Sequence, residues 1–425
     1  MTESVVITGT AMVSSLGGTA GETYQALLSG RQGIRPIRGF DASGFDCRVA
    51  AQVEGPDPSE LGIHPRDARI MGKHSHMLMK CAREAFLESG LNAASISGED
   101  IGLFAGIGMV DYEVAALLPS VIKSRDRDGR LDYDRFFTEG YREIYPLWLL
   151  SMLHNIPVCQ VGADLGIRGM NAVFSPHADA GAQAIGEGVK AIDEQEAKVV
   201  LVGGVSETVN PLSLARGQFF KILNTSEPPD KMTCRPFSRK RMGAILGEGC
   251  GVIVLEPRSS AISRGARFSA AISGFGSACR REEEGAPTAA AISRAMNEAM
   301  VDAGLEPSDI DLVIAHGDGV PSGDGNEIKA INELFSTAPE KTLVFSSKGA
   351  LGTLHAGATV VDTILAVQMF ADCMVPPTVN VHPVDEAVRF NLVHEGAIKK
   401  TLSRILINSR SHEGQCVSLI IEACD

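Results

Sequence analysis

The stretch Val199-Val200-Leu201-Val202-Gly203-Gly204 is apolar at almost every position, and Gly251-Val252-Ile253-Val254-Leu255 repeats the pattern. A strand with one wet face alternates apolar and polar residues, so unbroken runs of this kind belong to a sheet covered on both faces. Outward from these runs, short β-branched segments alternate with helix-period segments. Val5–Gly9 reads as a strand, about Gly72–Ser89 as a helix, Ile101–Gly106 as a strand and about Asp179–Asp193 as a helix. That alternation implies an α/β fold with parallel sheets layered by helices.

The order then starts again. A strand near Phe268–Gly274, a helix over Ala286–Ala303, strands at Leu312–Ala315 and Leu343–Ser347, a helix over Ala356–Phe370 and closing strands at Ile405–Asn408 and Val417–Ile421 follow one another. Two runs of similar order imply an internal duplication, with residues 1–258 and 259–425 as its halves. The charge-dense, aromatic-tipped segment 123–143 reads as an insertion between core elements.

With 425 residues, 44% of them apolar, the chain has ample material for a buried core. Its 52 acidic against 39 basic residues give a formal net charge of −13, which disfavours a nucleic-acid partner, because phosphate-backbone binding needs a concentrated Lys/Arg surface. The nine cysteines show no CxxC spacing and read as reduced thiols. The N-terminus lacks the pattern of a signal peptide and no stretch is apolar for 18 residues, so a cytoplasmic protein with no membrane partner is expected.

Three local patterns invite chemical readings. Ser175, His177 and Asp179 look like a nucleophile, base and orienter, but residues two apart converge neither in a strand nor in a helix. His74 and His76, also two apart, splay on a helix and read as solvated side chains. The run Arg239-Lys240-Arg241 reads as a solvated turn, with docking of an acidic protein as the alternative. No metal or organic cofactor is indicated.

Four blocks, taken in order and spacing, carry a resemblance: Val5–Gly17 (VVITGTAMVSSLG), Lys198–Glu207 (KVVLVGGVSE), Arg235–Pro257 (RPFSRKRMGAILGEGCGVIVLEP) and Ile314–Asp324 (IAHGDGVPSGD). Over essentially its whole length the chain resembles the carrier-protein-dependent β-ketoacyl synthases. The resemblance implies the thiolase fold: two duplicated βαβαβαββ halves in a five-layered αβαβα arrangement.

Active members of that family carry a nucleophilic cysteine at the N-terminus of a buried helix, where the helix dipole favours the thiolate. Aligning on Gly181 and Ile185-Gly186 places Ala178 there. Alanine forms no thioester, and loss of such a nucleophile typically costs on the order of 10⁶ in rate. Of the family's two histidines, which stabilise the developing enolate oxygen, the first matches His316 and the second falls on Thr353. His355 lies two residues on and, along a continuing helix, would point about 200° away.

Further departures follow the same direction. The family's pantetheine-binding Thr-x-Thr is replaced by Asp318-Gly319-Val320, and the gate Asn-Ser-Phe-Gly-Phe-Gly-Gly by Asn408-Ser409-Arg410-Ser411-His412-Glu413-Gly414. The gate thus becomes a charged segment. Lys348, which is retained, is expected to be a structural charge near the site. The resemblance therefore implies a catalytically silent subunit, similar to the chain-length factor of type II polyketide synthases, although that class commonly has glutamine where this chain has Ala178.

Such a subunit would form a heterodimer with an active ketosynthase and close one end of a tunnel holding its growing chain. Phosphopantetheine would arrive on an acyl carrier protein at the partner. The resemblance nominates Asp111, Val114 and Leu118, which on a helix would share one face, and Leu212 as tunnel residues. Two rivals are a malonyl-carrier-protein decarboxylase acting through His316 and a carrier-binding scaffold with no role in chain length. The product class, aromatic, polyene or fatty acyl, is not encoded in any of these residues.

Overall fold

The computed structural model describes residues 3–92, 96–112, 114–225, 232–282, 286–337 and 339–424. Among these, the apolar runs form one eleven-stranded sheet. The first half contributes β1 (Val5–Ser14), β2 (Ile101–Ile107), β3 (Asn171–Phe174), β4 (Val199–Ser206) and β5 (Gly249–Pro257). The second contributes β6 (Ala270–Cys279), β7 (Leu312–Ile314), β8 (Leu343–Phe345), β9 (Asn391–Leu392), β10 (Arg404–Arg410) and β11 (Gln415–Ala423). The spatial order is β9-β8-β7-β10-β11-β6-β1-β5-β4-β2-β3.

The duplication is visible in the ladders. β1 pairs antiparallel with β5, β5 antiparallel with β4, β4 parallel with β2, and β2 parallel with β3. In the second half β6, β11, β10, β7 and β8 repeat that sequence of orientations. The halves join where Val5–Ile7 of β1 pairs antiparallel with Ala270–Ile272 of β6.

Helices α1 (Lys73–Glu88), α2 (Val114–Lys123), α3 (Asp179–Asp193), α4 (Pro211–Phe219), α5 (Ala289–Ala303), α6 (Pro321–Leu334) and α7 (Ala358–Asp372) complete the layers that matter here. Alternate residues of β4 explain the apolar run. Val200 and Val202 pack inward with Ile185 of α3 and Ile364 of α7, in a cluster that also holds Ile405 and Leu419 of the second half. Val199 and Leu201 face the opposite way, onto Met77 and Leu78 of α1. Outside the second half, Ile292 of α5 and Ile328 of α6 pack on Val313 and Leu406. The two halves of the sheet enclose the paired central helices α3 and α7 and carry further helices on their outer faces, the five layers of a thiolase fold. α7, buried around most of its circumference, has the all-round apolar sequence such a position requires.

Segment 123–143 forms a small excursion, with a helix at Tyr133–Thr138 capped by Asp132 and a 3₁₀ turn at Gly140–Glu143. Its ends are drawn together by Lys123 Nζ and Glu143 Oε1 at 2.6 Å. The expectation of solvated histidines on α1 is corrected. His74 and His76 are buried, and His74 both donates its backbone N–H to Glu207 and bonds it through Nδ1, at 2.8 and 2.9 Å. The helix presents these residues to the core because the apolar stripe of α1 is wide. None of the cysteines is in a disulfide among the described residues, and no helix among them is long and apolar enough to cross a membrane.

Candidate functional site

The two central helices meet the strand ends at a cavity of about 560 Å³. Ala178 is the cap residue of α3, buried, and its carbonyl accepts the Thr359 hydroxyl of α7 at 3.1 Å. The helix is pressed tightly into place: a Cβ on Gly181 would lie 2.5 Å from the Ala356 carbonyl oxygen. The N-terminal amides of α3 therefore direct their partial positive charge at the cavity beside Ala178. A thiol at this position would be activated; a methyl group does nothing with the field.

His316 follows β7 and is buried against the same cavity. Its turn is held by Glu327 of α6, which accepts the backbone N–H groups of His316 and Gly317 at 2.8 and 2.9 Å and the Asn408 amide at 2.6 Å. Burial and the Arg410 guanidinium both push the His316 imidazole below its ordinary pKa, so it is neutral near pH 7. Thr353 also lines the cavity, its N–H donating to the Ile245 carbonyl at 2.7 Å. Lys348 is buried away from it, ion-paired with Asp362, whose other oxygen accepts the Ser347 hydroxyl at 2.7 Å. Ala178, His316 and Thr353 thus lie on the wall of one cavity, and Lys348 does not line it.

The direction assigned to His355 is corrected. The helical turn Lys348–Leu351 ends at Gly352, whose φ of 67° and ψ of −177° are open to glycine alone. His355 itself takes φ 42°, a left-handed conformation costing a non-glycine residue about 1–3 kcal/mol. No continuing helix carries it away, and its ring joins the cavity wall. Burial and the neighbouring His177 and His412 rings push its pKa down to about 3.

The altered gate and the altered pantetheine segment meet in the interior. Arg410 is buried at the end of β10, and its Nη2 lies 2.8 Å from both Asp318 Oδ1 and Asp324 Oδ1. Its Nε stands 3.4 Å from Glu327. Asp318 in turn faces His316 Nε2 at 3.4 Å and accepts the Val320 N–H at 3.2 Å. Burial alone would raise the Asp318 pKa, but the Arg410 guanidinium and His316 hold it well below the usual carboxylate range. The charged segment is an internal clamp, with Asp318, Val320 and Arg410 all on the cavity wall.

Three side chains that the sequence does not bring together join the mouth of the cavity. His177, directly before Ala178, lies with its Nε2 3.4 Å from Glu413 Oε2. The His177 and His412 ring centroids are 4.3 Å apart, edge to face. The absence of any metal-ligand spacing in the sequence hid this grouping, because its members come from ends of the chain more than two hundred residues apart. Ser175 is exposed and takes no part, so no triad forms.

The tunnel candidates lie elsewhere. α2 begins at Val114, so Asp111 precedes the helix and does not share its face; residue 113 lies outside the described residues. Asp111 accepts the Ser213 hydroxyl and pairs with Arg216 Nη2, both at 2.7 Å, tying this segment to α4. Val114 and Leu118 do share a face but are 45% and 47% exposed, and Leu212 on α4 is half-buried. None of the four lines the cavity. In the basic run, Arg239 pairs with Glu386 and Arg241 with Asp385, leaving little net positive charge there.

Residues 2–261 match the β-ketoacyl synthase N-terminal domain family and residues 269–382 the corresponding C-terminal domain family. The 3-oxoacyl-[acyl-carrier-protein] synthase 2 of Vibrio cholerae serotype O1 is 30% identical over 422 residues, covering 98% of each chain. The synthase of the same name from Coxiella burnetii is 28% identical over 419 residues, again covering 98% of each. Among solved structures, the ishigamide ketosynthase/chain length factor matches over the full length of both chains with a TM-score of 0.87 at 25% identity. Layered fold, duplicated halves and a cavity at the head of a central helix agree with these matches from end to end, and the chain belongs to the β-ketoacyl synthase family.

Proposed function

We propose that this chain is a non-catalytic chain-length-factor subunit, which pairs with an active ketosynthase and shapes the space available to the partner's growing acyl or polyketide chain. The observation that carries the reading is Ala178: the helix terminus, the buried His316 and the cavity are all kept, and the atom that would accept an acyl group is missing. The likeness to the ishigamide ketosynthase/chain length factor supports it.

A pairing surface is available. β3 is the terminal strand of the sheet and bonds only β2 among the described residues. The same half of the chain exposes large apolar side chains, including Leu118, Ile122, Leu149 and Phe219, at 47–80% of their full area. An unpaired edge and exposed large apolar side chains are both features that partner association covers. Val114 and Leu118 then act at the interface, and they bear on chain length through the fit of the two subunits. The carrier protein delivers phosphopantetheine to the partner, and this chain uses no cofactor of its own for condensation.

The test is co-expression with an active ketosynthase from the same source. A stable heterodimer whose product length shifts in Val114→Trp and Leu118→Trp variants supports the reading; a heterodimer with unaltered products leaves only a scaffold. A second reading, decarboxylation of malonyl-carrier protein, is favoured by one observation, the placement of both His316 and His355 on the cavity wall. Carbon dioxide release by the isolated chain, abolished in His316→Ala, would select it.

A further inference from the structure

The mouth of the cavity holds a donor set that the acyl-chain chemistry does not use. His177, His412 and Glu413 each offer one ligand atom, and the three atoms lie within 4.8 Å of one another. His177 comes from the segment leading into α3; His412 and Glu413 come from the turn between β10 and β11. The latter two stand where the family pattern has phenylalanine and glycine, so the polar set replaces an apolar plug.

The His177–Glu413 spacing suits a shared metal ion better than a hydrogen bond. His177 Nε2 and Glu413 Oε2 are 3.4 Å apart, beyond the 2.7–3.2 Å range of a good N–H···O bond. Four ligands at about 2.0–2.1 Å around a tetrahedral zinc ion stand about 3.3 Å from one another. The His412 ring packs edge to face against His177 and tilts against Phe220 at 5.5 Å, which limits its rotation. Glu413, with its side chain 51% exposed, provides the entry path from solvent.

We propose that His177, His412 and Glu413 bind one divalent transition-metal ion of the zinc type, with the fourth coordination position open to the cavity. Two imidazoles and a carboxylate with one free position form the ligand set of zinc sites that hold water or substrate, whereas closed structural sites use four protein ligands. The carboxylate and imidazole composition, without thiolate, disfavours copper(I) and iron–sulfur clusters. This site goes beyond the chain-length reading and does not depend on it.

The full-length protein, stripped with a chelator, is titrated with Co²⁺ and separately with Zn²⁺ in competition with a chromophoric chelator. Uptake of one equivalent, with the d–d absorption of four-coordinate cobalt, is expected. His412→Ala and Glu413→Gln should each weaken binding by at least about tenfold, while His355→Gln, on the same cavity wall, should not. Glu413→Gln changes an exposed side chain and guards against loss of fold, which thermal melts of each variant check. No saturable uptake by the wild-type chain, or equal uptake by the His412→Ala and Glu413→Gln variants, overturns the proposal.

Discussion

Arg410 Nη2 and Asp318 Oδ1 stand 2.8 Å apart, 92 residues from each other in the chain, and each occupies a position where the chain departs from the active-synthase pattern. The altered gate and the altered pantetheine segment are therefore one structural change. A buried guanidinium at the gate needs carboxylates, and Asp318, Asp324 and Glu327 supply them. A clamp of this kind fixes the segment that a working synthase would have to move.

Removing one partner of a buried ion pair leaves the other charge stranded, which costs about 3–5 kcal/mol. Arg410→Met should lose about that much in urea denaturation. Asp318→Asn should lose less, because Asp324 and Glu327 remain with Arg410. The double variant should fall short of the sum by about 1–3 kcal/mol, since both changes break the same contact. Strict additivity would show that the clamp is not a unit.

Restoring the missing thiol should not restore the enzyme. In Ala178→Cys the new side chain sits at the N-terminus of α3 and should react readily with iodoacetamide near neutral pH. Condensation should stay undetectable, because Thr353 stands where the second histidine is needed and the clamp occupies the pantetheine wall. Turnover by this single variant would mean that the remaining departures are cosmetic.

Asp111 is expected to matter through α4 and not through a tunnel. Asp111→Ala strands Arg216 and the Ser213 hydroxyl, and a loss of about 1–3 kcal/mol is expected. Leu118→Asp, on an exposed surface, should leave the stability of the isolated chain within about 0.5 kcal/mol. It should nevertheless weaken association with a ketosynthase, read by size exclusion. Undiminished association would move the interface to another face.

His355 sets a pH dependence of known sign. Its folded-state pKa, about 3, lies below the ordinary histidine value, so the folded chain binds fewer protons than the unfolded one. The stability this provides is full above about pH 6.5 and is lost as pH falls toward 3. Between pH 7 and pH 5 the urea midpoint should decline, and His355→Gln should recover about 1–2 kcal/mol of stability relative to wild type over that interval. A wild-type and variant difference that is constant with pH would place the ring in water.

The layers were legible because burial on both faces leaves an unmistakable mark: β4 and β5 are apolar at nearly every position, and α3 runs over Asp179–Asp193 as its periodicity requires. The four-residue β3 was missed, being too short for a pattern and half-buried as an edge strand. α4 was also missed, although Asn210 caps it and Pro211 opens it in the usual way. At the site, Ala178, His316 and Thr353 each sit in a short stretch that can be aligned locally, and all three line the cavity. The pairing of Arg410 with Asp318, Asp324 and Glu327 was not legible, because these acidic partners lie far off in sequence. His355 was misdirected by an assumed helix that Gly352 ends, and the His177, His412 and Glu413 grouping depends on a long-range approach that no spacing rule encodes.

With Ala178 at the head of α3, this chain has no atom there to accept an acyl group. Labelled acyl groups are supplied, together with malonyl-carrier protein, to the chain alone, to an active ketosynthase partner and to both. The account predicts no covalent label on this chain in any mixture, no condensation by the chain alone, and extended product only when its partner is present. Thioester label on this chain, or condensation without the partner, would contradict it.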